Sequence, residues 1–479
     1  MGIDLFGSLP LVVIWLALGG VGIVIQAFVR DNTRLVFGYY ISTLIATGVL
    51  AAITFGHTGL TFDGMVTMGG SGAYFDILFC VTGVLTMLAA RPYLQREEAE
   101  IDEFYTLLVS AVSGMMLMAH ANNLVVLFVG IELMSISFYV MAGFFRKSIR
   151  SIEAALKYFL LGAFATGFLV YGMALVYGST NALDYATITS VVRAGTTPFP
   201  MLLAAGVTLM AVGLCFKIAA FPFHQWAPDV YQGSPTVVSA FMSTAGKAAA
   251  FSAFIPAFTM LMPVGAGAAY ALNMQLALAV IAAVTMLVGN ISAIAQSNVK
   301  RMLAFSSVAH AGYLLMGIVS GTAAGHQAII FYLTAYTFMQ LGAFVIVSIL
   351  ERENDTHLEY ADYAGLSRTH PVLAFVMAMF MFSLAGIPPF AGFFGKYMLF
   401  AAAIDSGFTW LTIIAVISSV ISVYFYLGLV VKMYFAEPVG EVHHINPGTA
   451  ALTLGVAAAF TVLLGVLPSV LQSMFTTFH

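Results

Sequence analysis

Charge is what this 479-residue chain has least of: 17 lysines and arginines and 21 aspartates and glutamates make up 8% of it, against 61% hydrophobic residues. A mean hydropathy of +0.99 leaves little room for a soluble domain. Cysteine is nearly missing too. Cys80 and Cys215 lie in apolar stretches with no partner pattern, which argues against a disulfide or a thiolate metal site. There is no Walker-type or dinucleotide loop, and no histidine pair in facing apolar runs that would suggest haem. Nor is a signal-peptide cleavage site convincing: the first apolar run ends at Arg30 and reads as a retained span.

What the chain does have is long apolar runs. They are about 20 residues each, as helical spans require, not the ~10-residue alternating segments of a barrel. In lipid the backbone must satisfy its own hydrogen bonds, so such runs are read as helices. Fourteen are expected, at about 8–29, 34–55, 74–94, 104–120, 122–145, 153–177, 200–226, 236–258, 272–295, 301–320, 326–350, 371–404, 408–434 and 447–471. With the N-terminus outside, twelve basic residues fall at cytoplasmic connections: Arg30, Arg34, Arg91, Arg96, Arg146, Lys147, Arg150, Lys300, Arg301, Arg352, Arg368 and Lys432. Arg193 alone falls outside. This asymmetry predicts that both termini are periplasmic. Longer connections at residues 91–103, 178–199 and 351–370 read as solvated surface.

Two spans are abnormal. The seventh contains Pro222 within FKIAAFPFHQWAPD, and the twelfth would be ~50 Å long, well beyond a ~30 Å hydrocarbon core. The twelfth carries SLAGIPPFAGFFGK in its middle. Pro222 cannot donate to the Ile218 carbonyl, and Pro388 and Pro389 leave those of Leu384 and Ala385 unpaired. Interrupted helices at matching places in two halves point to an ion site on inverted repeats. The fold class predicted is an all-α polytopic membrane protein of about fourteen transmembrane helices, with two inverted five-helix repeats (spans 4–8 and 9–13) and broken helices 7 and 12. As one membrane domain over 1–479, it divides into N-terminal spans (1–103), a first repeat (104–258), a second repeat (272–434) and a last span (447–471).

Against this background the charges inside spans stand out: Glu132, Lys157, Lys217, Lys247 and Lys396. A charge at mid-bilayer costs about 2.5–3.5 kcal/mol on insertion scales, so such groups face a bundle interior or water. Glu132 and Lys217 are the opposite charges expected to approach one another, as a pair that could switch a lysine between holding and releasing a proton. Lys217 and His224, seven apart, would share a face if Pro222 did not intervene. Lys247 lies near mid-depth beside Ser243 and Thr244. His310 and Tyr313 could bridge protons between repeats, and Lys396 lies in the outer part of its span. The plainer alternatives are a static buried pair for Glu132, Lys217 and Lys247, an outward-snorkelling Lys396, and a surface helix pair for Lys157 with Glu153. His57, His120, His326, His357, His370, His443, His444 and His479 read as ordinary residues near span ends or in connections.

The segments HANNLVVLFVGIELMSISFYVMAGF, FKIAAFPFHQWAPDVYQGSPTVVSAFMSTAGK, VKRMLAFSSVAHAGY and SLAGIPPFAGFFGKYMLF resemble the proton-translocating antiporter-like family. The similarity covers nearly the whole chain. The YADYAGL and GIPPFAGFFGKY segments, and the chain ending soon after its fourteenth span, favour the N-type subunits of bacterial respiratory complex I. The resemblance implies that Glu132 and Lys217 are an interacting pair, Lys247 a central relay lysine and Lys396 the lysine from which a proton exits. Lys157, His224 and His310 would support them. It implies a subunit of NADH:quinone oxidoreductase in the bacterial inner membrane that moves protons from cytoplasm to periplasm. No cofactor is expected in this chain, because the redox chemistry would belong to other subunits. The implied partners are membrane-arm neighbours of M-type and small K-type, and lipid, with no nucleic acid. An independent cation/proton antiporter and a purely structural membrane subunit are the alternatives.

Overall fold

A computed structural model describes residues 4–28, 32–262, 269–352, 356–438 and 446–475. Arg30, His443, His444 and His479 lie outside them. The chain is nearly all helical. It opens with α1 (Leu9–Leu16), α2 (Ile23–Phe28) and α3 (Thr33–Ile53), then a hairpin of β1 (Gly59–Thr61) and β2 (Val66–Met68) with Gly59 opposite Met68. There follow α4 (Gly70–Arg96), α5 (Asp102–Ala119), α6 (Leu124–Ala142), α7 (Ile149–Thr180), α8 (Tyr185–Ala194) and α9 (Pro200–Lys217). Beyond these come α10 (Trp226–Gly233), α11 (Thr236–Phe241), a π-turn at Met242–Gly246 and α12 (Lys247–Leu261). The second half comprises α13 (Ala269–Ile294), α14 (Val299–Ser320), α15 (Ala323–Leu350), α16 (Leu366–Thr369), α17 (Pro371–Ala385), α18 (Ala391–Asp405), α19 (Thr409–Phe435), α20 (Ala450–Val466) and α21 (Ser469–Phe475).

Among the described residues, ten helical segments are long and apolar enough to cross a membrane, and three shorter apolar helices accompany them. The segments α11–α12, α14 and α15 each have 94% of their most apolar window buried, against 33% for α7 and 39% for α3 and α19, so they form the centre. A helix that is apolar all round is stable only when surrounded, by protein or by lipid. Small residues bring the outer pairs together. A Cβ on Gly114 of α5 would lie 2.8 Å from the Gly130 carbonyl of α6, and one on Gly172 of α7 would lie 2.7 Å from that of Gly206 in α9.

The two repeats carry the same cap. Asn123, the N-cap of α6, bridges to Asp184, and Asn298, the N-cap of α14, bridges to Glu359; both partners are displaced by 175 positions (123 to 298, 184 to 359). The flanking bonds match as well, Leu124 N to Leu183 O and Val299 N to Leu358 O. The hairpin and α8 are additions to what the sequence predicts: α8 orders much of a connection expected to be plain surface.

Candidate functional site

Both broken spans end in the same way. In α9 the Ala219 N–H donates to the Phe216 carbonyl and Ala220 N–H to Cys215, with Ala219 at φ +58°. In α17 Gly386 N–H donates to Ser383 and Ile387 N–H to Phe382, with Gly386 at φ +86°. These are two Schellman ends, normally built on glycine because the left-handed conformation crowds a Cβ. Each lies three residues before a proline (219 before 222, 386 before 389). So Pro222 and the Pro388–Pro389 pair do not break the helices by themselves, as the sequence suggested. The chain has already left the helix, at Lys217 and Ala385, when it meets them.

Each helix end receives a lysine. Lys217 is the last residue of α9, and Lys396 comes back from α18 to the end of α17. The Lys396 ammonium donates to the Leu384 carbonyl at 3.1 Å, to the Ala385 carbonyl at 3.0 Å and to Ser419 Oγ at 2.9 Å. Those carbonyls are the two that the sequence left unpaired, and a cation suits the negative end of a helix. Lys396 is thus buried and directed inward, and does not snorkel. Its ammonium lies 4.9 Å from the centre of the Tyr313 ring.

Lys217 and Glu132 do not touch. The Lys217 ammonium donates to Ser135 Oγ at 2.7 Å, and Glu132, one turn away on α6, accepts from Thr166 Oγ1 at 2.8 Å. Glu132 remains near enough to act on Lys217 electrostatically. Ser135 donates its own hydrogen bond to the Ile131 carbonyl at 2.6 Å, so its oxygen is left to accept from Lys217. His224 falls in the turn before α10, beyond the end of Lys217's helix, so the shared face does not form. Among the described residues its Nδ1 has no hydrogen-bond partner.

Lys247 follows the π-turn, a feature often found at functional positions. It is buried and donates a short hydrogen bond to the Ser307 carbonyl of α14, with its ammonium 5.4 Å from the centre of the Tyr336 ring. Three residues on, His310 binds Tyr332 Oη at 2.6 Å through Nδ1 and Tyr426 Oη at 3.1 Å through Nε2. Tyr426 also bonds Ser306 Oγ. Tyr313 accepts from Asn290 Nδ2 at 3.1 Å, and Asn290 reaches Ser418 Oγ at 2.7 Å. His310 therefore stands between Lys247 and Lys396, within electrostatic reach of both.

Lys157 lies apart from this row. It pairs with Glu153 at 2.7 Å and with Asp229 at 2.8 Å, and is 41% exposed. Arg301 binds the other Asp229 oxygen at 2.7 Å. Burial pushes the Asp229 carboxyl up, but hydrogen bonds from Lys157 and Arg301 outweigh it and hold the carboxyl below its usual range. The cluster borders an open cleft of about 180 Å³ lined by Arg150, Glu153, Asp229 and Gln232.

The structure also corrects two readings. His120, taken as ordinary, is buried and bonded to Asp76 Oδ2 at 2.9 Å and to the Thr67 carbonyl at 2.8 Å. Lys300, taken as a residue of a short cytoplasmic connection, and Glu351, taken as part of a solvated one, form a fully enclosed ion pair, 0% and 2% exposed. The neutral partners Ser135, Thr166, Ser306, Tyr332, Tyr426 and Ser419 were likewise missed. Only Ser135 stands at helical spacing from a charge, three residues after Glu132; the others carry no sequence signal that separates them from the many hydroxyl residues in these spans.

A family model described as NADH:quinone oxidoreductase/Mrp antiporter, TM, matches residues 121–422. A Trichlorobacter lovleyi protein named NADH-quinone oxidoreductase subunit N is 45% identical over 429 residues, 89% of this chain and 87% of that one. A chain in a structure of respiratory complex I from Thermus thermophilus is 33% identical, with a TM-score of 0.82 over 97% of this chain and 99% of its own. A chain of the Mrp complex from Dietzia sp. has a TM-score of 0.82 over 99% and 96%, and at 20% identity shares the fold alone.

Proposed function

This chain belongs to the NADH:quinone oxidoreductase/Mrp antiporter family, as an N-type antiporter-like membrane subunit, and from that premise we propose that it carries protons from cytoplasm to periplasm. Glu132 and Lys217 start the route, Lys247 and His310 continue it, and Lys396 releases the proton. Electron transfer from NADH to quinone takes place in other subunits, and neighbouring membrane-arm subunits transmit its energy.

One observation carries this reading. Among the described residues Lys217, Lys247 and Lys396 are buried without an ion pair, each held by neutral hydroxyl or carbonyl oxygens. A static charge in such a place is expected to be matched by a counter-charge, as Lys300 is by Glu351. A lysine on neutral oxygens can give up its proton without leaving a carboxylate stranded. With Lys217 held on Ser135 and Glu132 on Thr166, the carboxylate influences the lysine without locking it.

The test is Glu132→Gln in the assembled complex, reconstituted in vesicles with proton yield per electron as readout. The reading predicts a lower yield with normal assembly; an unchanged yield contradicts it. The purified chain alone should exchange nothing, whereas an independent cation/proton antiporter would remain active without partners.

A further inference from the structure

We propose that the buried Lys300–Glu351 pair is a charge gate at the cytoplasmic end of the chain, opening onto an inward-facing proton branch that reaches Lys247 between α14 and α15. The inference rests on the relay reading above and adds to it an entry separate from Glu132.

The pair lies in a continuous polar setting. Lys300 Nζ stands 3.6 Å from Glu351 Oε1 and donates to the Ser234 carbonyl at 3.0 Å, while Thr236 Oγ1 donates a short bond to Glu351 Oε2. Ser234 directly follows Gln232 and Gly233, which line the open cleft beside Asp229. Arg301, next to Lys300, binds both Asp229 and Gln232. The lining of the cleft therefore ends, along the chain, one residue before Ser234, whose carbonyl Lys300 holds.

From the pair inward, one face of α14 presents Lys300, Leu303, Ser307 and His310, at three- and four-residue spacing. Gln340 of α15 donates to the Leu303 carbonyl at 3.3 Å, and Lys247 to that of Ser307. Tyr332, Tyr336 and Gln340 follow one another on α15 at four-residue steps, Tyr336 over Lys247 and Tyr332 on His310. The seven residues from Lys300 to Ser307 rise on the order of 10 Å, a gap that a few waters span. Buried waters need polar partners. Gln340 Oε1 and Ser234 Oγ, both buried and without a hydrogen-bond partner among the described residues, supply them near the middle and the mouth.

Symmetry separates this pair from the scaffold. The positions 175 earlier, by the displacement that relates the two caps, are Val125 and Val176. The repeat fold does not need charges there. In the branch a proton from the cleft joins the Glu351 carboxylate to give the acid. The acid then yields it through water to the neutral Lys247 amine, which becomes the ammonium as the carboxylate re-forms. The Lys300 side chain beside it favours the return of Glu351 to its ionised state.

Two variants in the assembled complex test this, with Lys247→Ala as the internal standard for a lost relay. Gln340→Leu removes the polar group midway without removing a charge. The double variant Lys300→Met/Glu351→Met removes both charges of the pair together. The proposal expects proton yield per electron to fall in both to a level between wild type and Lys247→Ala, because the entry through Glu132 and Lys217 remains, with normal assembly. Wild-type yield in Gln340→Leu overturns it, as does wild-type yield in the double variant; should the double variant not assemble, Gln340→Leu decides. If Lys247→Ala itself pumps normally, the relay reading fails, a result distinct from failure of the branch.

Discussion

At the scale of single residues the account turns on which partner each charge holds. Lys217 holds a hydroxyl, so Ser135→Ala should strand a buried ammonium, at a cost of about 1–3 kcal/mol. Ser135→Thr, which keeps the hydroxyl, should preserve pumping while Ser135→Ala depresses it several-fold; equal yields in the two would remove Ser135 from the route. Lys157 is different. Its pairs are partly exposed and worth about 0–1 kcal/mol, so Lys157→Ala should leave the amount of assembled complex nearly unchanged. For Asp229 the sign is fixed by its depressed carboxyl. The cluster's contribution is present above the ordinary carboxylate range and is lost only as pH falls through the lowered value. The stability difference between wild type and Asp229→Asn should therefore stay constant from about pH 5 to pH 8 and shrink below about pH 4. A difference that changes between pH 6 and 8 would contradict this. Residue identities were legible in the sequence because a charge in an apolar run is rare; their partners were not, because hydroxyl groups are common there.

At the scale of elements, the breaks were legible from their prolines, but the cause lay upstream. Two Schellman ends stop α9 and α17, one on Ala219 where glycine is usual. Backbone conformation at an alanine leaves no mark in a sequence. The second break is sealed by Lys396 and by close packing: a Cβ on Gly392 would lie 1.9 Å from the Ser383 carbonyl oxygen. Gly392→Ala should force α17 and α18 apart and lower the yield of folded complex. Lys396→Met should leave the Leu384 carbonyl short of a donor, at about 1–3 kcal/mol, with Ala385 keeping only its bond from Ser419, and speed amide exchange between Gly386 and Ala391. Unchanged exchange there would mean that Lys396 does not hold the break. The Lys300–Glu351 pair escaped the sequence reading for a geometric reason. Both residues sit at helix ends, where charge normally meets water, and tertiary packing that includes Thr236 of α11 against α15 encloses them.

At the scale of the whole molecule, apolar length predicted the all-helical membrane architecture, though where fourteen spans were expected the described residues form ten helical segments long enough to cross and three shorter apolar ones, and the repeats show themselves in caps that sequence identity barely hints at. Asn123 and Asn298 occupy equivalent places, so Asn123→Ala and Asn298→Ala should each cost about 1 kcal/mol and lower the thermal stability of the complex by similar amounts. Grossly unequal losses would indicate that the two caps do different work. What joins the repeats is the central layer of α11–α12, α14 and α15, which puts Lys247 of one repeat against Ser307 and His310 of the other. The central claim is that this crossing point passes protons instead of holding a fixed charge. Arginine keeps the charge but effectively cannot release its proton. The most direct measurement is proton yield per electron for Lys247→Arg beside Lys247→Ala, in complexes assembled to normal amounts. The account predicts that both lose pumping to nearly the same extent; an arginine variant that pumps at close to the wild-type yield would contradict it.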